Sequence, residues 1–425
     1  MNILVHTWWF SAEKGSEFSV AYNFVKEMAG FHRLFVAVES CSYAWNDLSE
    51  FEHLKIDNVE FIFVPQNWKL KLLLSIQRKL KGIVAGWFSY VLFHEWENCC
   101  IKKIKREYCN KIDVIHYLGP VGWHEPGYLY KLKKPYIWGP AGGFENAHKE
   151  LVRHYYDGSA RLVMLKSALN TLQQFFEFRA KKIARSSAAV IAATQSNRKI
   201  MEKRLHPKRL LWFPENLMRI TDSDILPADT VEKKYDAVPV LRAVWIGACV
   251  PRKMPNLLLD TVRQVKNSNK LRVSIAGDTC GFDKIIADSG LVGMQCLGKI
   301  SRGGVSKLLS ESHVLLITSA HEATPTVLWE AMEQSVPVVT VDLFGMADIV
   351  QDGVTGLKVP VTTYAETARK IAERLDFLME NPNELKRLAL NWRLDSFHYT
   401  KDKRAEFYNH LYLQVMDSAQ KNSSI

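Results

Sequence analysis

Apolar runs and helical patterns alternate from the start of the chain. Residues 3–5 (ILV) predict a buried strand, residues 11–19 (SAEKGSEFS) a polar loop, and the apolar spacing over 20–28 an amphipathic helix. Residues 34–38 (LFVAV) predict a second buried strand. A strand, a glycine-bearing loop, a helix and a strand form the start of a βαβ unit.

The same alternation continues to the middle of the chain. Further strands are predicted at residues 59–64, 114–116, 136–138 and 189–193, with helical patterns between most of them. This order predicts a doubly wound parallel sheet. Residues 217–238 then break the pattern: they are acidic, contain Pro227 and show little periodicity, so we interpret them as an interdomain linker.

A second alternating series follows the linker. Its strands are predicted at 243–246, 272–276, 294–297, 314–317, 338–341 and 356–359, and its helices at about 255–266, 302–311, 326–335 and 363–379. The sequence thus predicts an α/β protein with Rossmann-like domains at 1–216 and 239–383, followed by a helical tail at 384–425. Tandem domains of this kind usually leave a cleft between the carboxyl ends of their strands, so functional residues are expected at strand ends.

Composition narrows the class of protein. Forty-seven per cent of the 425 residues are hydrophobic, which is typical of a globular protein. The seven cysteines include no CxxC pair, which argues against a disulfide framework or a structural zinc site and favours a reducing cytoplasm. The N-terminal residues MNILVHTWWF do not resemble a signal peptide, and no apolar run reaches the ~18 residues that a membrane-spanning helix needs.

The excess positive charge lies in the first half of the chain. Residues 1–215 contain 31 Lys and Arg against 20 Asp and Glu, a net +11, whereas residues 216–425 contain 25 of each. A nucleic acid, an anionic membrane or a phosphorylated substrate would each explain a basic half, and a solvated basic face is the alternative. No nucleic-acid motif is present.

One segment concentrates this charge. Residues 67–81 (NWKLKLLLSIQRKLK) contain five basic and no acidic residues, interspersed with leucines, and the aromatic segment 83–96 and the basic run 101–106 follow. A basic amphipathic stretch with aromatic residues is typical of contact with an anionic membrane surface. The alternative is a helical hairpin packed on the first domain.

Two carboxylates lie at the end of a predicted strand of the second domain. In TSAHEATPTVLWEAMEQSVPVV (318–339), Glu322 falls in a loop and Glu330 inside the following helix, with Thr324 as the predicted N-cap and Pro325 at the first helical position. The N–H groups of the first helical residues would offer partial positive charge to a phosphate. The N–H groups in question are those of Thr326 and Val327. The alternative is that neither glutamate has a function: Glu330 would be an exposed acidic residue of the helix and Glu322 an ordinary charged residue of the loop.

The strand ends around this segment carry glycines and charges. Gly247 begins a turn that reaches Arg252 and Lys253, where an incoming diphosphate would need neutralising, and Gly277-Asp278 ends the next strand. Together these features resemble the retaining family 4 glycosyltransferases of the GT-B fold. The positions that match the family pattern are Gly247, Arg252-Lys253, Gly277-Asp278, Glu322 with Glu330, Pro337-Val338-Val339, and Asp352-Gly353 with Gly356.

The first half is similar to a subgroup of that family. Gly15 and Ser16 look like its glycine-rich donor loop after strand one, and the WGPAGG run at 138–143 looks like its acceptor-domain motif, which implies acceptor contacts at Gly142 and Gly143. His116 and His124 lie at or near strand ends, where either could position an acceptor hydroxyl, although a structural role is the alternative for each. The sequence departs from the family pattern at Ala248, Thr279 and Asp348 and over residues 322–325.

The resemblance implies a GT-B enzyme with two domains facing each other across a cleft, closed by a C-terminal helix. It implies transfer of a sugar from a UDP- or GDP-sugar with retention, without a metal or other cofactor, to a saccharide or lipid-linked acceptor in bacterial surface polysaccharide assembly. Glu322 and Lys253 would then act on the sugar and the leaving diphosphate, and Glu330 would bind the ribose. The expected location is the cytoplasmic face of the membrane. A sugar-nucleotide epimerase and a non-catalytic membrane-surface protein are the alternatives.

Overall fold

The computed structural model describes residues 1–14, 17–39, 48–80 and 82–423. The chain divides into two compact units, each built on one parallel sheet. Unit 1 comprises Met1–Phe144, Gln173–Glu215 and Arg404–Ile425, and unit 2 comprises Glu145–Leu172 and Asn216–Lys403. The expectation of two Rossmann-like α/β domains is confirmed.

The sheet of unit 1 has seven parallel strands in the order β3-β2-β1-β4-β5-β6-β7. The sequence predicts the first six of these strands. It does not predict β7, because that strand is only three residues long and half-buried. The strands are β1 (Asn2–Thr7), β2 (Arg33–Glu39), β3 (Val59–Val64), β4 (Val114–Gly119), β5 (Tyr136–Ala141), β6 (Ala189–Ala192) and β7 (Leu210–Trp212).

The sheet of unit 2 has six parallel strands in the order β10-β9-β8-β11-β12-β13. All six lie where the alternation predicts them, within two residues at their ends. They are β8 (Leu241–Ile246), β9 (Leu271–Ala276), β10 (Met294–Gly298), β11 (Val314–Ile317), β12 (Val338–Val341) and β13 (Gly356–Val359).

Helices connect these strands. Those before β8 are α1 (Glu17–Met28), α2 (Leu48–His53), α3 (Trp68–Gln77), α4 (Gly82–Glu107), α5 (Lys149–Val152), α6 (Ala160–Phe176), α7 (Phe178–Ser186), α8 (Gln195–Leu205) and α9 (Ala228–Tyr235). Those after it are α10 (Pro255–Gln264), α11 (Phe282–Asp288), α12 (Arg302–Glu311), α13 (Thr326–Glu333), α14 (Phe344–Ile349), α15 (Tyr364–Glu380), α16 (Pro382–Ser396) and α17 (Lys401–Ser423). None of the described helices is long and apolar enough to cross a membrane.

Both faces of the unit 1 sheet are covered, which explains its continuous apolar strands. Ile3 and Val5 of β1 point to the face that carries α1 and α17, whereas Leu4 points to the opposite face with α3 and α4. The side chain of Arg404 at the start of α17 donates two hydrogen bonds of 2.7 Å to Glu27 of α1. The C-terminal helix is thereby attached to unit 1.

The structure differs from the predicted element pattern in two places. The segment predicted as a linker contains helix α9, whose Val231 and Tyr235 are buried within unit 2. The tail is not helical throughout, because α16 ends at Ser396 and α17 begins at Lys401. The units also divide the chain differently from the predicted domains: residues 145–172 and 384–403 belong to unit 2.

Candidate functional site

The strand order of unit 2 reverses between β8 and β11, which are neighbours in the sheet. The chain leaves β8 toward one side and β11 toward the other, so a crevice forms outside the carboxyl ends of these two strands. The loop after β8 carries Arg252 and Lys253, and the loop after β11 carries Glu322. The residues that the sequence analysis selected therefore meet at the switch point of the sheet.

Two glycines allow the strand ends of unit 2 to touch. Gly277 follows β9 with φ +136°, and a Cβ atom there would lie 2.1 Å from the carbonyl oxygen of Gly247. The N–H of Gly247 donates to the carbonyl of Ala276 at 2.9 Å. A side chain at position 277 would overlap backbone atoms, so the close approach of these loops requires glycine.

Hydrogen bonds fix the two charged loops against each other. The N–H of Ala320 donates to the carbonyl of Arg252 at 2.8 Å, and the hydroxyl of Thr318 donates to the carbonyl of Lys253 at 2.8 Å. The indole N–H of Trp245 in turn donates to the Thr318 hydroxyl at 3.0 Å. The loop after β11 is thus held on the turn that carries the basic pair.

Glu322 forms ion pairs with both basic residues of that turn. Its Oε1 lies 2.6 Å from Nζ of Lys253 and also contacts the guanidinium of Arg252. The side chains of Glu322 and Lys253 are 11% and 14% exposed, whereas that of Arg252 is 51% exposed. The cluster therefore contains two cations and one carboxylate, and a cation at its rim is accessible to an incoming anion.

Helix α13 begins directly after this carboxylate. Its first residues are Thr326 and Val327, as predicted, but the predicted cap is wrong: Pro325 is the N-cap, and no side chain caps the helix. The preceding loop is held instead by α14, because the N–H of Gly345 donates to the carbonyl of Ala323 at 2.8 Å. Pro325 has no side-chain acceptor, so it leaves the first N–H groups of α13 without a cap of its own.

Glu330 lies one turn into α13, about 6 Å along the axis from Thr326. Burial raises the pKa of its carboxyl group, and the guanidinium groups of Arg219 and Arg302 oppose the shift. Its neighbour Glu333 instead accepts the backbone N–H of Arg219 at 2.7 Å. Glu330 and Glu322 thus occupy different surroundings on one short segment.

Asp278, which follows β9, also contacts the loop after β8. Its carbonyl accepts the N–H of Cys249 at 2.7 Å, and its carboxylate pairs with Lys299 at 2.8 Å. The hydrogen bond from Lys299 holds the pKa of Asp278 below its usual value. Asp278 thus supports the turn around Gly247 through its backbone.

The sequence analysis missed a segment that covers this turn. Residues 145–172 belong to unit 2, and the hydroxyl of Tyr156 donates to the carbonyl of Cys249. The N–H of His148 donates to the carbonyl of Ala320 at 3.2 Å. Burial raises the pKa of Tyr155 to about 12, with Arg252 opposing the shift. His148, Tyr155 and Tyr156 precede the turn by more than 90 residues in the sequence, and no local sequence pattern indicates that they contact these loops.

The switch point of unit 1 lies between β1 and β4. Gly15 and Ser16, predicted to bind the donor after β1, lie outside the described residues. The next residue, Glu17, begins α1 and accepts the backbone N–H of Val121 at 3.3 Å. Burial raises the pKa of Glu17 to about 7.

The predicted acceptor role of His116 is wrong, because the structure places its ring in the core. His116 is fully buried in β4, with Nδ1 2.7 Å from the hydroxyl of Tyr412 and Nε2 2.7 Å from the carbonyl oxygen of Gly139. Both ring nitrogens are occupied, and burial lowers the ring's pKa to about 4. His116 therefore joins α17 to the sheet.

The other predicted acceptor residues lie near the carboxyl ends of β4 and β5. His124 is half-buried, with Nε2 2.8 Å from Oε1 of Gln173. Gly142 follows β5, and its N–H donates to the carbonyl of Val121 at 2.8 Å. Gly143 has φ +81° and packs on Trp123. These residues surround one strand edge.

A group of buried carboxyl groups at this edge was also missed. Burial raises the pKa of Glu97 to about 8, and it raises the pKa of Glu125 to about 8 with a further contribution from Glu17. Glu97 accepts the N–H of Tyr128 at 2.8 Å and lies 3.2 Å from Nε2 of His6. Glu125 directly follows His124 in the sequence, but only His124 was predicted to bind the acceptor.

The short 3-10 turn Asp222–Asp224, whose two aspartates could suggest a metal site, has a structural role. Asp222 accepts the hydroxyl of Thr400 at 2.6 Å, and Asp224 forms a capping box with Thr221. Across the described part of the chain, no group of three or more His, Cys, Asp or Glu side chains could hold a metal ion. The six described cysteines are free thiols.

Comparisons with solved structures show the fold. The chain is similar to Anabaena HepE in complex with UDP-glucose, at 15% identity and a TM-score of 0.55 over all of both chains. It is also similar to WaaG, a glycosyltransferase involved in lipopolysaccharide biosynthesis, at 15% identity and a TM-score of 0.55, covering 93% of this chain and 94% of WaaG. The two Rossmann-like units thus have the GT-B architecture.

A curated relative agrees with this likeness. The α-D-kanosaminyltransferase of Streptomyces kanamyceticus is 23% identical over 220 residues, which cover 49% of this chain and 55% of the relative. This chain spans only about half the length of the curated relatives that it matches. Residues 239–394 match the family model described as Glycosyl transferases group 1. This part of unit 2 is therefore a group 1 glycosyl transferase domain, carried on a chain with the GT-B fold.

Proposed function

We propose that the protein is a retaining, metal-independent glycosyltransferase. It moves a sugar from a UDP- or GDP-sugar to a saccharide or lipid-linked saccharide, in the assembly of a bacterial surface polysaccharide. One observation carries the proposal: Lys253, Arg252 and Glu322 meet at the switch point of unit 2, directly before the uncapped N-terminus of α13. The similar fold of HepE, which binds UDP-glucose, and of WaaG, which is involved in lipopolysaccharide biosynthesis, supports the donor class and the setting.

The basic pair acts on the leaving group. Negative charge grows on the nucleoside diphosphate as the glycosidic bond lengthens, and cations already in position stabilise that charge without reorganising. Lys253 is the less exposed cation, and its stem lies over Gly247, 3.5 Å from where a Cβ would stand. Arg252 is more exposed and closes on the diphosphate from solvent.

Donor binding exchanges the partners of these cations. Without a donor, Glu322 pairs with both Lys253 and Arg252 and leaves a net charge of one positive unit. A diphosphate carries more charge than one carboxylate and takes both cations, which frees Glu322 to orient the sugar or to stabilise positive charge at its anomeric carbon. Glu330, further along α13, accepts hydrogen bonds from the ribose hydroxyls.

The acceptor belongs to unit 1. The excess positive charge lies in residues 1–215. Helix α3 also exposes Trp68, Leu72 and Ile76 at four-residue spacing on one face, while Leu70 and Leu74 are buried. Because no acidic residue lies between 67 and 81, this face suits the anionic inner surface of a membrane, where a lipid-linked acceptor would be found.

The test is sugar transfer by the wild type and by Glu322→Gln, with UDP- and GDP-sugars and a panel of saccharide acceptors. We expect Glu322→Gln to lose at least about 100-fold in kcat, because one positioned electrostatic contact is worth that much. Glu311→Gln, an exposed glutamate of the same unit, is the matched control and should keep wild-type activity. Equal activity of the Glu322 variant, or release of free nucleotide without a glycoside, would refute the proposal.

A further inference from the structure

The junction of α6 and α7 exposes three phenylalanines. Phe175 is 47% exposed, Phe176 66% and Phe178 73%. Large rings are usually buried, and a contiguous group of them on a surface indicates an interaction site. We call Phe175, Phe176 and Phe178 the phenylalanine corner; it lies in unit 1.

The chain around the phenylalanine corner is strongly basic. Residues 158–201 contain eight Lys and Arg and one acidic residue, Glu177, a net +7 out of the total +11. Glu177 is itself engaged, because its carboxylate accepts the backbone N–H groups of Arg179 and Ala180 at the start of α7. The net charge of this stretch of the chain therefore favours an anionic partner.

Cations lie directly beside the rings. The guanidinium of Arg204 lies 3.8 Å from the centroid of the Phe175 ring. Nζ of Lys181 lies 5.6 Å from the Phe178 ring and donates to the carbonyl of Phe175 at 2.8 Å. Side chains of this kind bury apolar stems and rings while their charged ends stay at the polar boundary, as in the headgroup layer of a membrane.

The first part of α6, residues 160–172, belongs to unit 2 and also exposes apolar side chains. Leu165, Leu169 and Leu172 are 57%, 38% and 54% exposed and lie three or four residues apart, so they share one face of α6. Residues 160–176 contain no acidic residue. A basic helix with an exposed apolar face is typical of elements that lie in a membrane interface.

We propose that the phenylalanine corner inserts into the headgroup layer of an anionic bilayer. The sequence analysis assigned membrane contact only to residues 67–106, and this surface is separate from them along the chain. A second copy of the chain fits the surface less well, because its basic residues would then face each other. The purpose of the contact, access to a lipid-linked acceptor, rests on the proposed function; the contact itself does not.

The test measures co-sedimentation of the full chain with vesicles of phosphatidylcholine alone and of phosphatidylcholine with phosphatidylglycerol. We expect binding to the anionic vesicles only, weakening as salt is added. The double variant Phe176→Ser/Phe178→Ser should bind the anionic vesicles at least about tenfold more weakly, because the apolar contacts of both rings with the bilayer are lost. The double variant Lys182→Gln/Arg185→Gln should lose about fivefold for each charge removed.

Val292→Ser is the matched control, because Val292 is 85% exposed and lies in unit 2. It should bind vesicles as the wild type does. Unchanged vesicle binding by the phenylalanine variant would overturn the proposal, as would a change in its oligomeric state without a change in vesicle binding. Calorimetric titration with UDP and with GDP separates the two proposals. A variant that binds its nucleotide normally but not vesicles supports this one, whereas a wild type that binds vesicles but neither nucleotide counts only against the proposed function.

Discussion

The two switch points of the molecule handle charge in opposite ways. In unit 2, the largely covered carboxylate of Glu322 pairs with two cations, Lys253 and the half-exposed Arg252. In unit 1, Glu97 lies buried and Glu125 half-buried, and desolvation raises the pKa of each carboxyl group to about 8. The same topology thus holds paired charges in one unit and carboxyl groups that favour the neutral form in the other.

The difference suits the two kinds of ligand that the proposed function requires. An ion pair at a rim can exchange its carboxylate for an external anion, as a diphosphate site requires. A buried carboxylic acid that keeps its proton can donate a hydrogen bond as well as accept one, which suits a neutral hydroxyl-rich ligand. The comparison therefore agrees with a donor site in unit 2 and an acceptor site in unit 1.

The largest expected effect comes from breaking the backbone contact on which the unit 2 switch point depends. Gly277→Ala would place a methyl group 2.1 Å from a backbone carbonyl, so we expect a loss of about 3 kcal/mol or more in the free energy of unfolding. Gly281→Ala is the control: it also has a positive φ, but no atom lies within 4 Å. It should cost about 1 kcal/mol. Urea unfolding measures both, and equal losses would show that the close approach is unimportant.

A smaller effect tests whether the unit 2 cations serve an external anion. Lys253→Ala should weaken UDP binding by about 2 kcal/mol, or about 30-fold, because a charge-assisted hydrogen bond is lost. Lys299→Ala removes a cation that is 77% exposed and paired with Asp278, and it should change the affinity only slightly. Isothermal titration calorimetry with UDP decides between them. If both variants bind equally well, Lys253 does not contact the diphosphate.

The smallest effect tests the protonated state of the unit 1 carboxyl groups. Burial raises the pKa of Glu97 from 4.5 to about 8, so the folded protein keeps a proton that the unfolded chain releases, and stability falls as the pH rises through this range. Glu97→Gln removes that dependence and can still accept the N–H of Tyr128. Relative to the wild type, the variant should gain at least about 1.4 kcal/mol between pH 5 and pH 8.5.

Urea unfolding at both pH values measures this gain. Glu60→Gln provides the control, because Glu60 is a half-exposed carboxylate of the same unit, 3.5 Å from Arg33. Its stability curve should run parallel to that of the wild type. Parallel curves for Glu97→Gln as well would mean that Glu97 is already ionised in the folded protein.

The sequence by itself determined the two parallel sheets, because period and length of the apolar runs fix buried strands locally. It also predicted that Glu322 and Lys253 follow strands of one parallel sheet, whereas the strand order that makes β8 and β11 neighbours, and so brings the two side chains into contact, was decided by the tertiary structure. Only the tertiary structure decided the cap of α13, the packing of residues 145–172 on unit 2, and the burial of His116 against Tyr412. Burial and pairing depend on contacts between residues far apart in the chain, and such contacts leave no local pattern.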